Sequence, residues 1–188
     1  MRLFVAVDPS GTVRAALARA QATLREAAPR ADVRWVDPTN LHLTLKFLGN
    51  VADERAGDVS GALKASVAGH APIALAVRGL GAFPSLRRPR IVWAGLVDGV
   101  VPLRALAAAI DTALEPLGHP REDRPFAAHV TLGRVRSPKG VDRLTSAVTA
   151  GVALDFGAWT AADVVLYRSH THPTGSVYEP VARIALDS

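Results

Sequence analysis

Asn40-Leu41-His42-Leu43-Thr44-Leu45-Lys46-Phe47-Leu48-Gly49 has an echo further along the chain in Phe126-Ala127-Ala128-His129-Val130-Thr131-Leu132-Gly133-Arg134-Val135. Both stretches alternate polar and apolar residues. On a strand, successive side chains point to opposite faces, so His42 stands beside Thr44 and His129 beside Thr131, while Leu43 and Val130 turn to the core. A core strand seldom needs an imidazole there. The two histidines are 87 residues apart, from 42 to 129, close to half of the 188 residues. Two similar halves are therefore expected, with equivalent strands meeting across a shared groove.

The composition suits that arrangement. A chain of 188 residues that is 49% hydrophobic can bury a real core, and residues 1–188 are expected to form one domain of two lobes. The 22 Lys and Arg against 17 Asp and Glu leave a net charge of +5, enough to attract an anionic partner without making the whole surface a nucleic-acid clamp. Cysteine is absent, which excludes a disulfide framework, a thiolate nucleophile and a cysteine-based zinc site. The opening Met1-Arg2-Leu3-Phe4-Val5-Ala6 lacks a signal-peptide pattern, and no run of about 20 apolar residues is present. A cytoplasmic protein without membrane contact is expected.

Strand and helix patterns alternate along the chain. Residues 2–7 read as a strand, and Asp8 or Ser10 can cap a helix carrying Val13, Leu17, Ala20 and Leu24 on one face until Pro29. Residues 33–36 and 41–48 read as a hairpin joined by a turn at 37–40. A second helix uses Val59, Leu63 and Val67. Residues 73–80 and 90–96 then read as strands flanking a basic loop, and Leu103, Leu106, Ile110 and Leu114 line a third helix ending near Gly118. After the second motif come a short helix at 140–149 and strands near 152–156, 163–168 and 176–186.

Two imidazoles on one groove suit phosphodiester chemistry. A base must take a proton from the attacking oxygen while an acid protonates the departing one, and histidine, with an unperturbed pKa of about 6.5, serves either role near neutrality. Thr44 and Thr131 can donate hydrogen bonds to the non-bridging oxygens as charge builds. Neither metal nor cofactor is required. A single His-x-Thr is commonly a half-buried histidine beside a good strand former; recurrence is what favours chemistry.

The phrases NLHLTLKFLG, RIVWAGL, RPFAAHVTLGR and LYRS, followed by Gly175-Ser176-Val177-Tyr178, resemble the RNA 2′,3′-cyclic phosphodiesterases, also called 2′-5′ RNA ligases, of the two-histidine phosphoesterase superfamily. The resemblance spans nearly the whole chain. It implies an α+β fold of two pseudosymmetric lobes, each an antiparallel sheet backed by helices, around a central cleft. It further implies metal-independent opening of a 2′,3′-cyclic phosphate at an RNA end to leave a 2′-phosphate, in some members with 2′-5′ joining. Carried over by position, His42 and His129 are the catalytic pair, with His129 as base and His42 as acid, and Thr44 and Thr131 complete the set. The expected partner is RNA with cyclic phosphate ends or a related nucleotide, and one chain suffices for the cleft, so a monomer is expected. Two other classes remain open, a noncatalytic RNA-end or nucleotide binder and a phosphodiesterase for a small cyclic nucleotide.

Arg134 is a candidate phosphate contact, since the resembled family often places a basic residue after its second motif. Strict alternation puts it on the wrong face, so the role needs a bulge or strand end at Gly133. By the same parity Phe47 belongs to the core rather than to a base-stacking platform, and Lys46 shares the His42 face as a solvated cation within reach of phosphates. Arg87, Arg88 and Arg90 form a basic loop suited to backbone phosphates. His170 and His172 read as a loop pair, His70 and His119 as helix-end residues, Trp35 and Trp93 as core aromatics, and Tyr178 as a shaper of the cleft.

Overall fold

The computed structural model describes residues 1–172 and 175–187. In chain order these form β1 (Arg2–Val7), α1 (Gly11–Ala27), β2 (Val33–Trp35), β3 (Leu43–Asn50), α2 (Ala56–Val67), β4 (Ile73–Phe83), β5 (Ile91–Asp98), α3 (Val100–Leu114), β6 (His129–Val135), α4 (Val141–Ala150), β7 (Asp155–Ala161), β8 (Asp163–His172) and β9 (Gly175–Ala185). The elements expected from periodicity are present, with boundaries displaced by a few residues. In α1 the Ser10 hydroxyl accepts from the Val13 amide at 3.3 Å, and Val13, Leu17, Ala20 and Leu24 are buried. That is the capped amphipathic helix its spacing predicts.

The sheet is antiparallel throughout and runs β7-β4-β5-β6-β3-β1-β8-β9, with β2 attached to β6 beside that path. The motif strands β6 and β3 lie at its centre, with three further strands outward on each side. They join at the pair Leu43 and Val130, the middle residues of the two His-x-Thr motifs, so a local twofold axis passes between them. Helices α1 and α4 pack behind β7 and β4, whereas α2 and α3 pack behind β9 and β3. Each half is thus an antiparallel sheet with two helices on one face, the α+β architecture expected.

The helix-covered face carries Val5, Val7, Leu43, Leu75, Val77, Val92, Val130 and Leu132, all essentially inaccessible. Each such side chain contributes about 1.5–3 kcal/mol on burial. The opposite face is left to His42, Thr44, His129 and Thr131, all half-buried.

The expected hairpin of residues 33–36 with 41–48 does not form. β2 pairs with β6, Val33 against Val135 and Trp35 against Gly133, and residues 38–40 make a single 3₁₀ turn capped by Asp37. Arg14 of α1 explains the shape of this segment: its Nη1 donates to the carbonyls of Pro38, Thr39 and Leu41 at 2.8–3.1 Å. Those carbonyls are drawn to a helix instead of to a neighbouring strand.

Each motif strand also carries an extra residue directly after its threonine. On β3, Val5 pairs with Lys46 and Ala6 with Thr44, leaving Leu45 as a bulge; on β6, Val92 pairs with Gly133 and Trp93 with Thr131, leaving Leu132. Leu45 and Leu132 are again 87 residues apart. A bulge reverses the facing of the residues beyond it; two expectations fall with that reversal, and the bulge that Arg134 required is supplied next to Gly133. Lys46 is 2% exposed instead of solvated, Phe47 is 57% exposed instead of packed in the core, and Arg134 comes round to the His129 face.

The two buried polar side chains among the described residues sit at these bulges. Gln21 of α1 donates from Nε2 to the carbonyls of Leu132 and Val36, both at 2.8 Å. Lys46 forms an ion pair with Asp111 of α3 and donates to the Pro120 carbonyl at 2.8 Å. Asp111 in turn accepts the Glu122 amide at 3.0 Å, tying the approach to β6 onto β3. Gly133 has its own reason to be glycine: a Cβ there would lie 2.8 Å from Val33 and 2.9 Å from Trp35, so β2 could not pack so closely.

Candidate active site

Both motif imidazoles are oriented by the backbone two residues earlier. His42 Nδ1 lies 2.7 Å from the Asn40 carbonyl and His129 Nδ1 lies 2.6 Å from the Ala127 carbonyl. A carbonyl only accepts, so each Nδ1 carries the proton and each Nε2 is the atom free to exchange one. His42 Nε2 is 3.0 Å from Thr44 Oγ1, within the motif itself. Continuing the register one residue to either side of Leu43 and Val130 sets His42 opposite Thr131 and Thr44 opposite His129.

Aromatic rings wall the two imidazoles. Phe4 lies 4.8 Å from His42, Tyr178 stands edge-on to His42 at 5.3 Å, and Phe83 stands edge-on to His129 at 5.0 Å. Trp93, expected in the core, instead occupies the open face. Val92 and Ala94 take the core positions of β5, and the indole lies over Gly81, where a Cβ would meet the ring at 2.2 Å, and 5.1 Å from Phe83. Phe47, released by the bulge, lies 6.1 Å from Phe4 on the His42 side.

Burial in this surround is the leading cause that pushes both imidazoles below the ordinary value of 6.5. For His42 the hydrogen bond to Asn40 and the Asp8 carboxylate oppose it, while Arg14 and His129 add to it. For His129 the Ala127 carbonyl opposes and Arg134 adds. Electrostatic coupling of His42 to His129, and of His129 to Arg134, follows from their nearness on one face. Asp8 also accepts from the Tyr167 hydroxyl at 2.9–3.0 Å and from Arg183 at 3.0 Å. Tyr167, pushed up to about 12 mainly by burial and then by Asp8, stays protonated. Asp8 and Tyr167 border a cavity of about 130 Å³ that Asn40, His42 and Tyr178 also line. A larger cavity of about 360 Å³, lined by Ala76, Arg78, Asp98 and Asp155, touches none of the motif residues.

The structure therefore gathers His42, Thr44, His129, Thr131 and Arg134 on one face around the central strand junction. Phe4, Phe83 and Tyr167 were missed by sequence reasoning, because nothing local distinguishes a cleft aromatic from a core aromatic. His170 lies on β8, not in a loop, and its Nε2 is 2.9 Å from Glu179 Oε2. Pro173, Thr174 and the side chain of His172 lie outside the described residues. Arg87 and Arg88 are exposed between β4 and β5 as expected, and Trp35 packs against the core. Among the described residues no helix is long and apolar enough to cross a membrane.

Two equivalent strands, each presenting an imidazole with an unprotonated Nε2 and a hydroxyl, on a sheet with pseudo-twofold symmetry, make up the framework of a phosphoesterase. The profile of the LigT-like phosphoesterase family matches residues 7–93 and 98–178. The chain belongs to that family. It is 33% identical over 178 residues to the RNA 2′,3′-cyclic phosphodiesterase of Methanothermobacter thermautotrophicus, covering 95% of each chain. It is 34% identical to the protein of the same name from Thermus thermophilus, covering 99% of this chain and 90% of that one. Among solved structures, TT0787 of Thermus thermophilus superposes with a TM-score of 0.81 at 32% identity, covering 99% of this chain and 98% of the other. Escherichia coli LigT complexed with 3′-AMP superposes with a TM-score of 0.76 at 27% identity, covering 100% and 98%.

Proposed function

We propose that this chain is an RNA 2′,3′-cyclic phosphodiesterase in which His42 and His129 act as the acid–base pair, within one unit that needs no second copy. The observation carrying this reading is the meeting of the two His-x-Thr motifs at the Leu43–Val130 pair. His42 and His129 are diagonal neighbours across that pair, a relation that sets residues about 7–8 Å apart with Cβ atoms somewhat closer, room for a phosphoryl group between two Nε2 atoms. Neutral His129 takes a proton from water, the water oxygen attacks phosphorus, the bond to O3′ breaks, and protonated His42 delivers its proton to O3′. A 2′-phosphate remains. Thr44 and Thr131 donate to the non-bridging oxygens, and Arg134, with its permanent charge, holds the anion.

The direct test is hydrolysis of an oligonucleotide ending in a 2′,3′-cyclic phosphate in the presence of EDTA, with the product analysed for a 2′-phosphate. No product at stoichiometric protein would leave only binding. The pH profile adds a second check. The base must be neutral and the acid protonated, and burial holds both imidazoles below 6.5 in the free protein, so kcat/KM should peak on the acid side of 6.5 and fall as pH rises through the acid's pKa. A bound phosphate anion favours the protonated imidazole, so the kcat optimum should lie at higher pH. A kcat/KM plateau extending well above neutrality would contradict the scheme.

Phe47 is placed to stack on the terminal base. It stands 87 residues before Arg134, so it occupies on the His42 side the position that Arg134 occupies on the His129 side. One side thereby offers an aromatic face and the other a cation. Stacking is worth about 1–3 kcal/mol per base, and Phe47→Ala should raise KM for cyclic-ended substrates by about tenfold or more with kcat little changed. An unchanged KM would return Phe47 to a bystander role.

A further inference from the structure

Arg34 of β2 pairs directly with Arg134 of β6. Residues directly opposite on antiparallel strands share a face, with Cβ atoms about 4.5–5.5 Å apart, and like charges in that relation destabilise the sheet. Both side chains are exposed, and neither forms an ion pair with a carboxylate among the described residues. The Leu132 bulge turns Arg134, and with it Arg34, onto the face that carries His129. β2 has no counterpart beside β3 in the other half, so this two-arginine stripe extends the His129 side alone.

We propose that the stripe is the exit path of the RNA: Arg34 binds a backbone phosphate on the 5′ side of the reactive end, leaving Arg134 to the cleft. The substrate class that follows is a polymer end rather than a mononucleotide, and this rests on the acid–base reading above. Successive phosphates, one at each of the two opposed guanidinium groups, offset the repulsion that the bare sheet carries. A neutral or cationic ligand would leave it in place. A polynucleotide supplies such anions at regular intervals, continuous with the reacting phosphate, which a free mononucleotide does not. The basic loop bearing Arg87 and Arg88 closes at the same end of the sheet, where the Arg90 amide donates to Phe83 and the Arg90 carbonyl accepts from Val135.

The test compares wild type with Arg34→Ala and Arg34→Lys on two substrates, a nucleoside 2′,3′-cyclic phosphate and a tetranucleotide with the same end, over a range of NaCl concentrations. Arg34→Ala should raise KM for the tetranucleotide by about tenfold at low salt and reduce the slope of log affinity against log salt by about 0.7, the value for one single-strand phosphate contact. Both parameters for the mononucleotide should stay at wild type, and Arg34→Lys should restore most of the loss. Thermal stability of Arg34→Ala without RNA should equal or exceed wild type, because the like-charge pair is gone. Equal effects on the two substrates, or no effect on the tetranucleotide, would overturn the exit path while leaving the catalytic reading intact. If neither substrate turns over, the acid–base reading fails instead. Binding of the 2′-phosphorylated tetranucleotide, read by its salt slope in wild type and Arg34→Ala, then still decides the role of Arg34.

Discussion

His129→Ala and His42→Ala are each expected to lower kcat on a 2′,3′-cyclic phosphate end by about 10²- to 10⁴-fold, the range that general acid–base catalysis commonly supplies. The two losses should not multiply. An acid and a base that act in one concerted step work as a unit, so the double variant should fall little below the worse single one. Each single variant should also lose one limb of the pH profile, because the group that produced it is gone. The imidazoles are half-buried and, among the described residues, hydrogen-bonded only to the Asn40 and Ala127 carbonyls and to Thr44, so truncation costs the fold little. Steady-state rates, with melting temperature as a control, check this. A variant that keeps wild-type kcat would show its histidine to be structural.

The second large effect concerns stability. Asp111→Asn should destabilise the protein by about 3–5 kcal/mol, because it leaves the buried Lys46 ammonium without its counter-charge. The Lys46 side chain is 1% exposed and that of Asp111 18%, so water cannot replace the lost carboxylate. The Pro120 carbonyl and the neutral amide oxygen of the new asparagine remain as acceptors, and neither carries a counter-charge. For a chain of this length a loss of that size lowers Tm by about 6–20 °C. Replacing the pair together, Lys46→Met with Asp111→Leu, should recover much of it, since well-packed apolar residues often substitute for a buried ion pair without loss. A shift of under about 2 °C for Asp111→Asn would show that solvent reaches Lys46 after all.

The Lys46–Asp111 pair also marks where strand parity ceases to be a guide. The alternation in residues 40–45 assigns His42 and Thr44 to the open face correctly, and the same holds for His129 and Thr131. Immediately after each threonine, at the bulges of Leu45 and Leu132, the assignment reverses. Lys46 was then expected in solvent and Phe47 in the core, and each is found where the other was expected. Arg134 depended on a bulge that sequence could name only as a requirement. Trp93 looked like a core residue because an apolar run does not declare which of its two faces the helices will cover.

The 87-residue recurrence, the helix faces of α1, α2 and α3, and the choice of His42 and His129 as the candidate acid–base pair were set by the sequence itself, because periodicity and capping are local properties of the chain. The bulges, the pairing of β2 with β6 and the exposure of Phe47 belong to the tertiary structure. They depend on groups remote along the chain: Gln21 reaches Leu132 across 111 residues, and Lys46 reaches Asp111 across 65. A strand's extra residue is stable only where another element satisfies the polar groups it displaces, and which element arrives there is decided by packing.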